Sequence, residues 1–566
     1  MKKPKNTPPN MPSKLRLIVF LTFLLAITTG VVLRLIYIET KGNAFLENEG
    51  NKRTHRLTEN HAYRGTIVDR NGYPLAVSTP VSSIWVDPRY IELNSSLNYV
   101  FNLLDLSKEQ KLKLVNRIEP KLGRSGFVYL KRQVNPMIAQ QIDNLNIPGI
   151  YLENEYKRYY PDGEVAAHVI GYTNIDGKGQ EGIELKYNEW LSGNSGKSIA
   201  DKDLKGNLIK TLNSPDISNG HDIALSIDRR IQYIAYKALQ DSVKENIAKS
   251  GSAIVLDAET GEILAMVNQP SYNPNNLKNA LPETRRNRAV TDVFEPGSTI
   301  KSFSALMALA TDEYSPESII HASPGYYRVG KRMVRDFKDY GDMDIGYILQ
   351  KSSNVGISKI VLSLPHEKLS DTLLSAGFGH KTDIEFPGEQ AGYVPTPAKW
   401  GEFPLATLSF GYGMNSTALQ LAQAYTTIAD QGNMIKPSLI RLSSKNESTK
   451  VSVTSSKVAN DVLKMLNSVV EGNGATGRRA NLENYHIAGK TGTVRRPIPG
   501  GYATDSYTGI FAGIAPVSHP KLVIVTTIDD AKSDNYGGGS AAAPMAAKIL
   551  EKSLEVLGIP PDKIKA

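Results

Sequence analysis

Residues 294–301 read Phe294-Glu-Pro-Gly-Ser-Thr-Ile-Lys301. Pro296 and Gly297 break the chain just before an apolar-periodic run of Ile300, Phe303, Leu306 and Leu309, which predicts a helix starting at Ser298. Spacing i, i+3 then places the Lys301 amine on the same face as the Ser298 hydroxyl, within hydrogen-bond reach. A serine hydroxyl is a weak nucleophile at neutral pH and needs a neighbouring base. A lysine serves only if burial or a nearby cation lowers its pKa. Alone, Ser-x-x-Lys carries little information. The chain has another at Ser518-His-Pro-Lys521, where Pro520 disfavours a shared helical face.

Two groupings downstream change its weight. Ser352-Ser-Asn354 lies 51 positions after Lys301, inside Leu349-Gln-Lys-Ser-Ser-Asn-Val-Gly356, and Lys490-Thr-Gly-Thr493 lies 136 positions after Asn354. Ser-x-Asn recurs, at Ser192, Ser444 and Ser533 among others, whereas Lys-Thr-Gly occurs once. Around them the pattern is regular. A helix is predicted at 229–249, two strands about a tight turn over Ser252–Val267, two more over Thr508–Ala515 and Leu522–Ile528, and a helix at 541–557. Hairpin strands at both ends with helices between imply one antiparallel sheet covered by helices, hence an α+β domain over 222–558 with a short tail, 559–566.

Upstream the character differs. Arg64-Gly-Thr-Ile-Val-Asp-Arg-Asn-Gly72 continues to Val77 and reads as an extended hairpin about Asn-Gly. Residues 105–145 hold helical periodicity, and 160–215 are rich in Gly, Asn and Asp. An irregular α+β domain over 55–221 is expected. Before it, the charge-free run Leu17–Leu33, extended past Arg34 to Ile38, makes about 22 residues, enough to span ~30 Å of hydrocarbon at 1.5 Å per residue. The run ends in Leu-Ile-Tyr-Ile-Glu-Thr without a small-x-small site, which favours an uncleaved anchor over a secretory signal. Residues 1–16 carry Lys2, Lys3, Lys5, Lys14 and Arg16 and no acid, so this tail is expected in the cytoplasm and the body outside it.

With 566 residues, one small domain is excluded. The absence of cysteine excludes disulfides, thiolate metal sites and a cysteine nucleophile. The net charge of +9 is concentrated in the N-terminal tail, and no zinc-finger, RNA-recognition or basic-helix pattern occurs, so nucleic acid is not an expected partner.

The three groupings in this order resemble the Ser-x-x-Lys, Ser-x-Asn and Lys-Thr-Gly motifs of the active-site serine penicillin-binding proteins. The stretch Arg64–Gly72, Arg158-Tyr-Tyr-Pro161, Ala167-His-Val-Ile-Gly171 and Glu181-Gly-Ile-Glu184 are similar to the non-catalytic pedestal of the class B members. Arg286–Gly297, Gln350–Gly356 and Ser409-Phe-Gly-Tyr-Gly413 look most like the division-specific transpeptidases of Gram-negative bacteria. An elongation-type class B transpeptidase is the alternative.

The resemblance implies a D,D-transpeptidase of the inner membrane that cross-links peptidoglycan stem peptides and is a target of β-lactams. Ser298 would attack the D-Ala-D-Ala carbonyl, with Lys301 as base. Ser352 and Asn354 would relay protons and hold the peptide. Lys490, Thr491 and Thr493, with Gly492 between them, would receive the terminal carboxylate, and the N–H groups of Ser298 and Thr493 would face the oxyanion. A second stem peptide supplies the amine acceptor. No metal or other cofactor is implied, and a SEDS-type glycosyltransferase and other division proteins are the implied partners. Two positions depart from the family, which often has proline where this chain has Ser302 and Ala418. A class A β-lactam hydrolase would need a glutamate to activate the deacylating water, often within Glu-x-x-Leu-Asn, and that motif is lacking between Asn354 and Lys490. A β-lactam sensor would need more than sixteen cytoplasmic residues, and a scaffold without turnover would not need the full motif set. Arg64 and Glu181 are candidates for holding the pedestal together or meeting a partner, against the plainer reading of solvated surface charges. Tyr412, between Gly411 and Gly413, is a candidate for lining the cleft or for a structural turn.

Overall fold

The computed structural model describes residues 14–42, 45, 48–49, 55–60, 62–124, 126–202, 208–213, 217–395, 401–533 and 536–563. Lys2, Lys3 and Lys5 of the basic tail and the last three residues of the C-terminal tail lie outside them. The chain divides into two compact units. One comprises Met1–Ala62 and Asn194–Ser218, the other Tyr63–Gly193 and Asn219–Ala566.

In the first unit, Lys14–Tyr37 forms a single helix whose 24 residues are all exposed. A helix this apolar, with no protein against it among the described residues, fits a single-pass membrane anchor, whose side chains lipid would cover. The same unit holds a three-stranded antiparallel sheet of His55–Asn60, Gly196–Lys202 and Leu208–Asn213.

In the second unit, the expected hairpin is present. Ile67–Val68 pairs antiparallel with Pro74–Val86, which in turn pairs with Val128–Val134 on one side and Ile150–Tyr159 on the other. Residues 105–145 are two helices, Lys108–Ile118 and Pro136–Asp143, separated by the strand Val128–Val134. Arg64 is not a solvated surface charge. It is buried and pairs at 2.6 Å with Glu184, whose other oxygen takes Arg158 at 2.6 Å. Its partner is thus Glu184 and not Glu181, which is half-buried near Arg285. One carboxylate between two guanidiniums survives burial because all three are hydrogen-bonded as well as paired.

The larger sheet runs Ile263–Gln269, Ser250–Asp257, Leu522–Asp529, Gly501–Ala515, Ala488–Ile498, antiparallel throughout. Its strands are apolar on both faces, and alternate residues enter opposite layers. Ile254, Leu256, Val523 and Val525 join the core under the helices Lys301–Leu309, Ala418–Ala429 and Ser456–Glu471, whereas Ala253, Val255, Leu522 and Ile524 join the core under Arg229–Glu245 and Ala543–Val556. This is the expected antiparallel sheet covered by helices. The strand that carries Lys490 ends the sheet, so one of its edges is free to face the Ser298 turn.

Candidate active site

Ser298 lies just ahead of the α-helix and not within it. Gly297–Ile300 is a 3₁₀ turn, and the α-helix begins at Lys301. In a 3₁₀ turn residues i and i+3 eclipse, which brings the Lys301 Nζ to 3.1 Å from the Ser298 Oγ. The turn is braced from outside by Gly411, whose carbonyl accepts from the Gly297 N–H at 3.2 Å. Gly411 has φ +84°, and a Cβ there would lie 2.1 Å from the Gly297 carbonyl oxygen. Gly411 is therefore structural, while Tyr412 is half-buried edge-on to Phe410 and Tyr502.

Ser352 ends the helix Ile345–Lys351 in the left-handed region, φ +59°. That uncommon conformation for a non-glycine residue turns both its carbonyl and its hydroxyl toward Lys301, at 2.6 and 3.1 Å. Ser353 then caps the next helix, Asn354–Ser363, by accepting from the Gly356 N–H. The Asn354 Oδ1 accepts from Lys301 at 2.7 Å, while its amide nitrogen donates to the Arg335 carbonyl at 3.1 Å. Asp336, which sequence reasoning missed, secures this segment. Its carboxylate accepts from the Ser353 hydroxyl and the Asn354 and Val355 N–H groups. Nothing local in the sequence signals it, since it reaches a helix N-terminus that begins 18 residues later.

Lys490 enters from the edge strand Ala488–Ile498, donating to the Ser352 Oγ at 3.0 Å and to the Thr491 carbonyl at 3.1 Å. Gly492 permits the strand to approach the serine turn, because a Cβ there would lie 3.0 Å from the Pro296 carbonyl oxygen and 3.3 Å from the Thr299 methyl. Thr493 is exposed, and its hydroxyl accepts from the Gly538 N–H at 3.0 Å. The structure thus brings Ser298, Lys301, Ser352, Asn354 and Lys490 into one hydrogen-bonded cluster, with Thr491, Gly492 and Thr493 alongside. The second Ser-x-x-Lys does not take part. Lys521 pairs with Glu259 and Ser518 is exposed in a turn.

Both lysines are completely buried, whereas Ser298 is partly exposed. Burial pushes the Lys301 ammonium well below the usual lysine range, and the positive charge of Lys490 pushes the same way, against a smaller opposing pull from Asp336. Burial alone lowers Lys490 to about 7. A neutral Lys301 has two hydrogens and one lone pair. The Ser352 carbonyl and the Asn354 Oδ1 are obligate acceptors and take the two hydrogens, leaving the lone pair for a hydroxyl proton. The arrangement is that of a hydroxyl nucleophile beside a lysine base, with a second amine at the other side of Ser352.

The family model for the penicillin-binding protein transpeptidase domain matches residues 251–551, and that for the penicillin-binding protein dimerisation domain matches residues 59–225. Peptidoglycan D,D-transpeptidase FtsI of Escherichia coli K12 is 38% identical over 559 residues, covering 96% of this chain and 94% of that protein. The probable peptidoglycan D,D-transpeptidase PbpC of Pseudomonas aeruginosa is 39% identical, covering 97% of this chain and 96% of that protein. Penicillin-binding protein 3 of Mycobacterium tuberculosis, solved in complex with aztreonam, superposes with a TM-score of 0.68 at 26% identity, covering 90% of this chain and 98% of that one. On the motif order, the site geometry and these similarities together, the chain belongs to the penicillin-binding protein transpeptidase family.

Proposed function

We propose that this chain is a peptidoglycan D,D-transpeptidase working through an acyl-enzyme on Ser298, and that it binds β-lactams at the same serine. The carrying observation is the buried Lys301 amine, 3.1 Å from the Ser298 hydroxyl, with both of its neutral-form hydrogens engaged elsewhere. Ser298 Oγ attacks the carbonyl between the two D-Ala residues of a stem peptide while Lys301 takes its proton. The C–N bond then breaks and the proton passes, through Ser352, to the departing D-Ala amine. The amine of a second stem peptide attacks the ester, Lys301 accepts its proton and returns it to Ser298, and the cross-link is complete. Asn354 holds the donor peptide, and Lys490 with Thr491 and Thr493 receives the terminal carboxylate. The oxyanion rests on the N–H groups of Ser298 and Thr493, with Gly492 keeping the strand close.

The similarity to FtsI proteins supports a division-specific role at the septum, with a SEDS-type glycosyltransferase and other division proteins as partners. The basic N-terminal tail supports a cytoplasmic N-terminus, with residues 55–221 as pedestal and 222–558 as transpeptidase domain outside the inner membrane. Labelling with fluorescent penicillin tests the chemistry. The wild-type chain is expected to take up label on a peptide containing Ser298, and Ser298→Ala to take up none; a mutant that still labels would place the nucleophile elsewhere. A C-terminal reporter active only outside the cytoplasm tests the topology.

A further inference from the structure

The turn that carries Ser298 is braced from within by two hydroxyls that the acyl transfer does not use. In the middle of the helix Ala418–Ala429, the Tyr425 hydroxyl donates to the Thr299 carbonyl at 3.0 Å, and the Ser302 hydroxyl lies 3.0 Å from the same phenol oxygen. A carbonyl only accepts, so Tyr425 gives its one hydrogen to Thr299, and Ser302 must donate to Tyr425. Both side chains are fully buried, where an unpaired hydroxyl is costly. The ring is wedged edge-on against Phe303, at 5.6 Å, so the phenol has little freedom to find another partner.

Thr299 stands between nucleophile and base, and the direction of its carbonyl sets the peptide plane in the centre of the 3₁₀ turn. Ser302 occupies the second position of the helix Lys301–Leu309, a position at which a proline ring would fix the backbone directly. We infer that Ser302 and Tyr425 form a buried hydroxyl clamp that fixes the Thr299 carbonyl and so positions Ser298 for attack. They are positioning residues acting through the backbone, and neither hydroxyl is among the hydrogen-bond partners of the Lys301 amine, which are Ser298, Ser352 and Asn354. This inference rests on Ser298 being the nucleophile, as proposed above.

The test is the second-order rate of acylation of the full-length, detergent-solubilised protein by a fluorescent penicillin, across pH, with thermal melting measured in parallel. Tyr425→Phe, which keeps the ring, is expected to slow acylation about tenfold per folded molecule. The pH of half-maximal rate is expected to stay at the wild-type value, because the contacts of Lys301 with Ser352 and Asn354 do not run through the phenol. Ser302→Ala is expected to slow acylation less. The double variant should be no slower than Tyr425→Phe, since Ser302 acts only through Tyr425.

Acylation by Tyr425→Phe within about twofold of wild type, whatever its melting temperature, would overturn the inference, as would losses that multiply in the double variant. If Tyr425→Phe does not fold, Ser302→Ala decides alone, an unchanged rate counting against the clamp. Ser298→Ala serves as control. If it still labels, the nucleophile assignment has failed; if it does not and Tyr425→Phe is unimpaired, only the clamp has failed.

Discussion

Lys301 and Lys490 share the Ser352 hydroxyl, at 3.1 and 3.0 Å, with both side chains buried. Two ammonium groups so placed repel each other in a region of low dielectric, and each also loses hydration, so the pair holds fewer protons at neutral pH than free lysines would. The charge on Lys490 is one of the forces that keeps Lys301 deprotonated. Replacing it should let the Lys301 pKa rise. For Lys490→Ala the acid limb of the acylation rate is therefore expected to move to higher pH than in wild type. The check is the rate of penicillin labelling followed from acid to alkaline buffer; a limb that stays put, or moves down, would mean that the two amines do not sense each other.

At the scale of elements, the site is a meeting of ends: a 3₁₀ turn, a helix C-terminus in the left-handed region, the N-terminus of the next helix and an edge strand. The ends of helices leave backbone N–H and C=O groups without partners inside the helix, so these ends need partners from elsewhere. Asp336 supplies one, placing its carboxylate on the first N–H groups of the helix Asn354–Ser363, where negative charge is stabilised. Asp336→Asn is expected to cost about 1 kcal/mol of stability, in the range of a lost helix cap. It should also lower the maximal acylation rate by loosening Ser352 and Asn354. Because the Asp336 charge raises the Lys301 pKa, its removal should shift the acid limb to lower pH, opposite to Lys490→Ala. Denaturant unfolding and the labelling profile separate the two effects, and an upward shift would contradict this account of Asp336.

At the scale of the whole molecule, the pedestal segment Ala167–Ile170 packs against the stretch that leads into the serine turn. The His168 Nε2 lies 2.8 Å from the Thr284 carbonyl, and since a carbonyl only accepts, that nitrogen carries the hydrogen. Burial, with a smaller push from Arg288, lowers its pKa from 6.5 to about 4, so the imidazole is neutral in the fold. Between these values the unfolded chain binds the extra proton, and stability falls as the pH falls from 6.5 toward 4, by about 3 kcal/mol in order of magnitude. His168→Gln, which keeps a donor for Thr284 without a titrating group, is expected to lack that part of the acid destabilisation in unfolding curves. An equally steep loss in the variant would assign it to other groups.

The sequence by itself determined the anchor, the antiparallel sheet covered by helices and all three motifs, because these rest on local periodicity, chain breakers and residue spacing. It could not reveal Asp336, the Arg64–Glu184–Arg158 pairing, the bracing of the turn by Gly411 or the Ser302–Tyr425 contact. Those join residues 17 to 123 positions apart, and only folding decides which of many polar groups meet. It also could not say that both lysines are buried. A side chain's pKa depends on what surrounds it in space, and the motif that names Lys301 as a base becomes chemistry only when the tertiary structure excludes water from it.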